Sequence, residues 1–281
     1  WGTMIIVTFG ALGGVVARLV GGEGAAWSDA LGLGLQGWQM AYIVGGALGL
    51  LLLVLRAGAF ESGLFKSALN RTDIVRGDIR LLFSNAKRLR RYASAVIIGL
   101  PVWFVVGVLI NQSDTIAAAI GVQGTVHVGD SVMWGYVGLS IGDLLSGLAS
   151  QVWRSRRKVV LLYLLVLVVC TVAFTLSRDV SLAWFHAMCC LLGISTGFWA
   201  LFVTIASEQF GTNLRSTVTN TVPNLVRGAT IPITLSFTAL TGQLGATGAA
   251  LIVGGVCVGL SFLGVLGVKE TFHEDMDFME C

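Results

Sequence analysis

Two charges in this 281-residue chain stand where water is scarce, Asp143 and Arg227. Asp143 lies in the apolar stretch SIGDLLSGLASQVW, and Arg227 in STVTNTVPNLVRGATIP. A charge in the middle of an apolar helix costs at least about 2.5–3.5 kcal/mol on insertion scales, so such residues face a bundle interior or a wet cavity. Two chemistries suit Asp143. It is either a protonatable carboxylate that couples proton movement to that of a solute, or the acceptor in an interhelical hydrogen bond or ion pair. Asn220, Asn224 and Arg227 fall at i, i+4 and i+7 and share one helix face, with Thr217 and Thr221 close by. That face either lines a path for an anionic or hydroxylated solute or joins helices. Pro223 and Pro232 flank Arg227, and each lacks a backbone donor, so this helix is expected to kink or open. Whether Asp143 and Arg227 pair is left open by the sequence.

A second set of charges is crowded together. Arg154, Arg156, Arg157 and Lys158 follow the Asp143 helix, and Glu208 and Arg215 bracket a short turn. Arg154, Arg156, Arg157, Glu208 and Arg215 are candidates for one charge network, which acts either as a gate contact or as a stop signal that sets topology.

Other chemistry is not indicated. GISTG at 193–197 fits a G-x-S-x-G nucleophile pattern but lies inside an apolar run, and the nearest histidine, His186, is on the same helix about 13 Å away at helical rise. Four of the five cysteines, Cys170, Cys189, Cys190 and Cys257, lie in apolar runs, Cys281 ends the chain, and none forms a CxxC pair. No glycine loop precedes a Lys-Ser or Lys-Thr pair, so ATP-driven pumping is not indicated. We expect no enzyme, no metal and no cofactor.

These residues must be held by membrane helices. The chain is 55% hydrophobic and only 12% charged, whereas a soluble domain carries roughly 25% charged residues. Eight segments are long and apolar enough to span a bilayer: 3–20, 38–55, 94–110, 130–152, 159–176, 181–206, 216–240 and 246–267. The expected class is all-α integral membrane protein with eight transmembrane helices. Lys and Arg crowd alternate connections. Arg56, Lys66, Arg71, Arg76, Arg80, Lys87, Arg88, Arg90 and Arg91 lie in 56–93, four bases lie in 153–158, and Arg215 and Lys269 follow. The connections at 21–37, 111–129 and 241–245 hold none, and that near 177–180 holds only Arg178. Under the positive-inside rule the basic connections and both termini are cytoplasmic, and Trp27, Trp38, Trp134, Tyr136 and Trp184 fall near the outer interface. The long basic connection, with Ile74, Ile79, Leu81, Leu82 and Phe83, is either a set of short surface helices or a solvated linker.

Small-residue pairs recur at Gly10/Gly14, Gly45/Gly49, Gly138/Gly142, Gly193/Gly197 and Gly255/Gly259, and each would let helices approach closely. The second span exits into LRAGAFESG, with Glu61-Ser62, and the last into VKETFHED, with Glu270-Thr271. This echo suggests parallel repeats about an axis normal to the membrane.

The layout resembles the major facilitator superfamily, whose two six-span halves are joined by a long basic loop. GWQMAYIVGGALGLLLLVLRAGAFES looks like that family's sixth span and exit. GLASQVWRSRRKVVLL looks like its loop between spans eight and nine, with Gln151 at the loop Asp position and Arg154-Ser155 in place of Gly-Arg. ASEQFGTNLRSTV looks like its E-x-x-P-T-x-x-R turn, with Gly211 in place of Pro, and KETF like the P-E-T-K-G exit of the sugar-porter branch. The resemblance covers nearly the whole chain and implies a partial fold of that family. Residues 1–56 are the last two helices of the N-terminal half, 57–93 the interdomain loop, 94–268 the C-terminal six-helix half and 269–281 the tail. On that mapping the spans are five to twelve, and four more are expected upstream.

The resemblance further implies a secondary active transporter working by alternating access, here a proton-coupled symporter. Asp143 would be the coupling residue, and Asn220, Asn224 and Arg227 would line the solute path. Its partners would be a small-molecule solute, protons and the lipid bilayer, with no nucleic acid. The protein would be a monomer in a bacterial inner (plasma) membrane. A non-transporting sensor or scaffold with a transporter-like body is the alternative, favoured if these polar residues scatter to separate helix contacts.

Overall fold

A computed structural model describes residues 2–57, 77–272 and 278. The linker residues Glu61, Ser62, Lys66, Arg71, Ile74 and Arg76 and the tail residue His273 lie outside them. The described chain is helical, and its one β-type contact is an isolated backbone bridge between Gln123 and Ser181. Seven helical segments among the described residues are long and apolar enough to cross a membrane, as expected of an all-α membrane protein.

Contacts divide the chain into two compact units, 13–76 and 1–12 with 77–281. The smaller unit contains α2 (Gly13–Ala30) and α3 (Gly37–Ala57), packed as a hairpin. Helix α2 runs ten residues beyond the expected end at residue 20. The Gly21-Gly22-Glu23 sequence reads as an exit, but the missing side chains let α3 approach: a Cβ on Gly37 would collide with the Gly21 carbonyl, and one on Gly24 with Met40. The turn is closed by Gly32 and Gly34 at φ 68° and 63° and by the Leu35 N–H donating to Ser28 Oγ. By contrast, Gly45 and Gly49 meet nothing and make no such contact.

The larger unit contains α1 (Gly2–Ala11), α4 (Arg80–Phe83), α5 (Ala86–Phe104), α6 (Ser113–Ile120), α7 (Val128–Trp153), α8 (Arg156–Leu176), α9 (Leu182–Thr196), α10 (Trp199–Glu208), α11 (Thr212–Gly228) and α12 (Thr230–Gly267). Asn85 caps α5, its Oδ1 accepting from the Lys87 N–H. A π-helical turn at Val105–Ile110 follows α5, a few residues after Pro101. Two apolar clusters form the core. One is built around Phe104, Phe174, Phe185 and Phe237 and the other around Phe198, Phe202, Phe210 and Tyr163.

Helix α12 is not straight. Gly245 has φ 71° and ψ 166°, and the chain before it (α11 and the start of α12) and the chain after it register oppositely on α5 and the π-turn. Tyr92, Gly99 and Gly107 meet Thr221, Val226 and Thr230 in ascending order. Phe104, Ile98 and Ser94 meet Gly254, Ser261 and Gly267 in the reverse sense. The chain therefore doubles back at Gly245, where only glycine takes this backbone conformation without strain.

One end of this unit gathers the basic connections. Arg91 Nη1 donates to the Gln209 carbonyl, Gln209 Nε2 to the Lys269 carbonyl, and Arg156 meets Glu208. The other end joins the base-poor connections, with the Asp179 N–H donating to the Ile120 carbonyl and the Gln123 N–H to the Val180 carbonyl.

Candidate functional site

The site is built on a broken helix. Ser195 Oγ donates to the Leu192 carbonyl and Thr196 Oγ1 to the Gly193 carbonyl, bonds that compete with the helical ladder and bend it. Gly197 (φ −73°, ψ 40°) and Phe198 (φ −110°, ψ 15°) then leave helical geometry, and α10 starts anew at Trp199. The hydroxyls of GISTG thus shape the backbone. The new helix exposes N–H groups that have no partner within it.

Asp143 takes up one of them. Its carboxylate is fully buried, and Oδ1 accepts the Ala200 N–H at 3.0 Å. Phe198, the α10 cap position, offers no side-chain acceptor, so Asp143 caps that helix from α7. A carboxylate at a helix N-terminus also meets the positive end of the helix dipole. Asp143 Oδ2 has no partner among the described residues.

Glycines make this approach possible. A Cβ at Gly138 would strike the Cys190 carbonyl, and one at Gly142 the Ile194 carbonyl. Gly193 and Gly197 meet the Gly135 and Gly142 backbones in the same way. The Gly138/Gly142 and Gly193/Gly197 pairs therefore face each other across α7 and α9. Gly10, Gly255 and Gly259 have open space where a Cβ would lie. Tyr163 braces the junction, its hydroxyl donating to the Gly142 carbonyl at 3.0 Å and its ring set edge-on to Phe198.

A cavity of about 440 Å³ opens beside Asp143, lined also by Arg227, Tyr136, Trp103, Trp199, Leu139 and residues of α1 and α5. Asp143 and Arg227 thus border one space from two helices, but they form no ion pair with each other. Arg227 Nη1 donates to Asn224 Oδ1 at 3.1 Å, and the guanidinium lies 5.9 Å from the Trp103 ring and 5.7 Å from the Trp199 ring. The rings attract the cation through their π faces and hold it on the aromatic side of the cavity. Arg227 is also in the last turn of α11, where the helix dipole favours a cation.

The polar stripe of α11 is exposed and bonded along its own length. Asn220 Nδ2 donates to the Ser216 carbonyl and Asn224 Nδ2 to the Asn220 carbonyl. Among the stripe residues Arg227 borders the cavity, whereas Asn220 and Asn224 do not. Thr221 departs from the stripe by accepting from the Tyr92 hydroxyl at 2.8 Å. The helix does not break at Pro223. Ala229, between α11 and α12, keeps helical angles (φ −64°, ψ −16°), its N–H donates to the Leu225 carbonyl and its carbonyl accepts from the Ile233 N–H, so the backbone runs on through Pro232 close to helical geometry.

At the basic end the candidates take different parts, and both Arg156 and Arg215 act electrostatically on Glu208. Arg156 Nη2 lies 2.8 Å from Glu208 Oε1, with the side chains 16% and 8% exposed. Arg215 Nε donates to the Ser207 carbonyl at 3.2 Å. Arg157 contributes its backbone N–H to Glu270 Oε2. Arg154 is exposed and makes no bond to this cluster. It occupies a left-handed turn conformation (φ 49°, ψ 35°) that ends α7, so its part there is geometric. Glu270 is the hub of the cluster. Its carboxylate accepts from Ser155 Oγ and from the Arg156, Arg157 and Phe272 N–H groups, and so caps α8 from the far end of the chain. Burial pushes the Glu270 carboxyl up, but the Ser155 hydroxyl and these backbone donors outweigh it, and the group sits below the usual range.

Sequence reasoning did not single out Trp103, Trp199 or Gln209. The aromatics carry no signal in an apolar run, and Gln209 becomes important only because Arg91 and Lys269 reach it from distant segments. Tyr136, expected near the outer interface, lines the cavity. No family model and no curated protein sequence matches this chain.

Proposed function

We propose that this protein is a secondary active transporter of the major facilitator type, moving a small solute by alternating access in proton-coupled symport. The observation that carries the reading is the convergence of Asp143 and Arg227, from two helices, on one cavity beside a broken helix. Intramembrane charges usually mark solute or ion pathways, and discontinuous helices usually mark transporter binding sites. In this reading the seventh apolar segment crosses the membrane twice around Gly245, which makes eight crossings. The basic end faces the cytoplasm of a bacterial cell together with both termini.

Asp143 would take a proton and thereby weaken its hold on the Ala200 N–H. The start of α10 would be freed, coupling protonation to movement at the helix break. The Arg156–Glu208 pair and the Glu270 cap would form the inner gate, closing four segment ends together when the cavity faces outward. Asn220 and Asn224 would meet solute along the exposed face of α11.

Uptake into proteoliposomes tests this. The full-length Asp143→Asn protein should lose uphill, proton-driven accumulation while keeping solute exchange down a gradient. Normal uphill uptake by this variant would overturn the coupling role.

A further inference from the structure

We infer that the cavity beside Asp143 binds a small amphipathic organic monoanion, with Arg227 as the residue that recognises its charge. The inference rests on the transport reading for the purpose of the site, but the binding chemistry follows from the lining alone. Two tryptophans and a tyrosine around a cavity could form a cage for a ligand cation. Here the cation is the protein's own, because the Arg227 guanidinium already lies against Trp103 and Trp199. A second cation would be repelled there.

A donor fork remains. Arg227 spends Nη1 on Asn224, and its Nε and Nη2 have no partner among the described residues. A guanidinium so placed takes a planar carboxylate through two parallel bonds. Trp103 Nε1–H is buried without an acceptor, and Tyr136 brings a hydroxyl. Asp143 Oδ1 is engaged by the α10 N-terminus and its Oδ2 has no partner among the described residues, so the site takes the anion with a proton on Asp143, which removes the opposing charge.

The remaining lining is apolar, with Val7, Ala11, Val102, Val106 and Leu139. With Asp143 protonated, one cation and five apolar walls suit a singly charged group on a hydrophobic body and disfavour a dianion. A volume of about 440 Å³ accepts a body of one ring or a short branched chain.

Three isosteric probes test the inference on purified full-length protein in detergent: benzoate, benzyl alcohol and benzylammonium, with binding read by calorimetry. Benzoate should bind saturably, benzyl alcohol more weakly and benzylammonium not at all. Arg227→Gln should weaken benzoate binding by about 10-fold or more, the loss expected when charge-assisted hydrogen bonds are removed. Arg227→Lys should restore part of it. Val106→Phe, which fills the cavity and keeps Arg227, should also weaken it, and a melting curve on each variant checks folding.

Absence of saturable benzoate binding, equal or tighter binding of benzylammonium, or an unchanged affinity in a folded Arg227→Gln protein would overturn the inference. Counterflow in proteoliposomes separates the two readings. Benzoate binding without counterflow upholds the site and overturns transport. Proton-driven uptake of benzylammonium without benzoate binding overturns the anion site and leaves transport standing.

Discussion

Asp143 Oδ1 accepts the Ala200 N–H at 3.0 Å across a sequence separation of 57 residues. One bond thus ties the middle of α7 to the restart of a broken helix. It explains how a fully buried acid is tolerated, and it identifies the element that responds if the acid changes state.

Asparagine keeps the accepting oxygen at that position. Asp143→Asn should therefore melt close to the wild type, whereas Asp143→Ala should lose about 1 kcal/mol, the usual worth of a helix N-cap. Thermal melts in detergent check this. Equal damage from both substitutions would mean that the charge, and not the cap, holds the junction.

Glycine at 142 is expected to be nearly irreplaceable. Gly142→Ala would drive a methyl into the Ile194 carbonyl and push α7 from α9, costing about 1–3 kcal/mol as overpacking does. Gly255→Ala, facing open space, should be neutral. Comparing the two melting points separates close packing from a general effect of removing glycine.

Arg156 and Glu208 are partly shielded from water, so their pairing should register energetically. A double-mutant cycle with Arg156→Gln and Glu208→Gln should return a coupling of roughly 0.5–3 kcal/mol. In the gating reading both single variants also raise labelling of a cysteine introduced in the cavity from the basic side. A coupling near zero would reduce the pair to topogenic charge.

Glu270 gives a pH dependence with a definite sign. Its carboxyl titrates below the ordinary value of 4.5 in the folded protein, so the folded state binds its proton less readily than the unfolded chain. The stabilisation is therefore complete above about that value and is lost as the pH falls through the folded pKa. The difference in melting point between wild type and Glu270→Ala should shrink on acidification below pH 4.5 and stay constant above it. A difference that grows on acidification would show the opposite sign.

Asp143 stood out because a charge in an apolar run is costly wherever the fold places it. Its partner did not, because Ala200 contributes only a backbone N–H, which every residue but proline carries. The break that frees that N–H depends on Ser195 and Thr196 bonding back to their own helix, and the pattern GISTG is equally consistent with an unbroken one. The glycine pairs show the same limit. Five looked alike as spacing, yet Gly138/Gly142 and Gly193/Gly197 are shown to meet across helices, since a bare helix face attracts only when another lies opposite.

The sequence by itself determined that the chain is helical and suited to a membrane, roughly where the apolar segments lie, and which connections are basic. Those properties are sums over local residues: hydropathy, length and charge. Only the tertiary structure decided that the chain doubles back at Gly245, that Arg227 turns to Trp103 and Trp199 instead of Asp143, and that Glu270 caps α8. Each of these depends on which distant backbone or ring comes within about 3–6 Å, the range over which hydrogen bonds and cation–π contacts act, and that proximity is set by packing rather than by spacing along the chain.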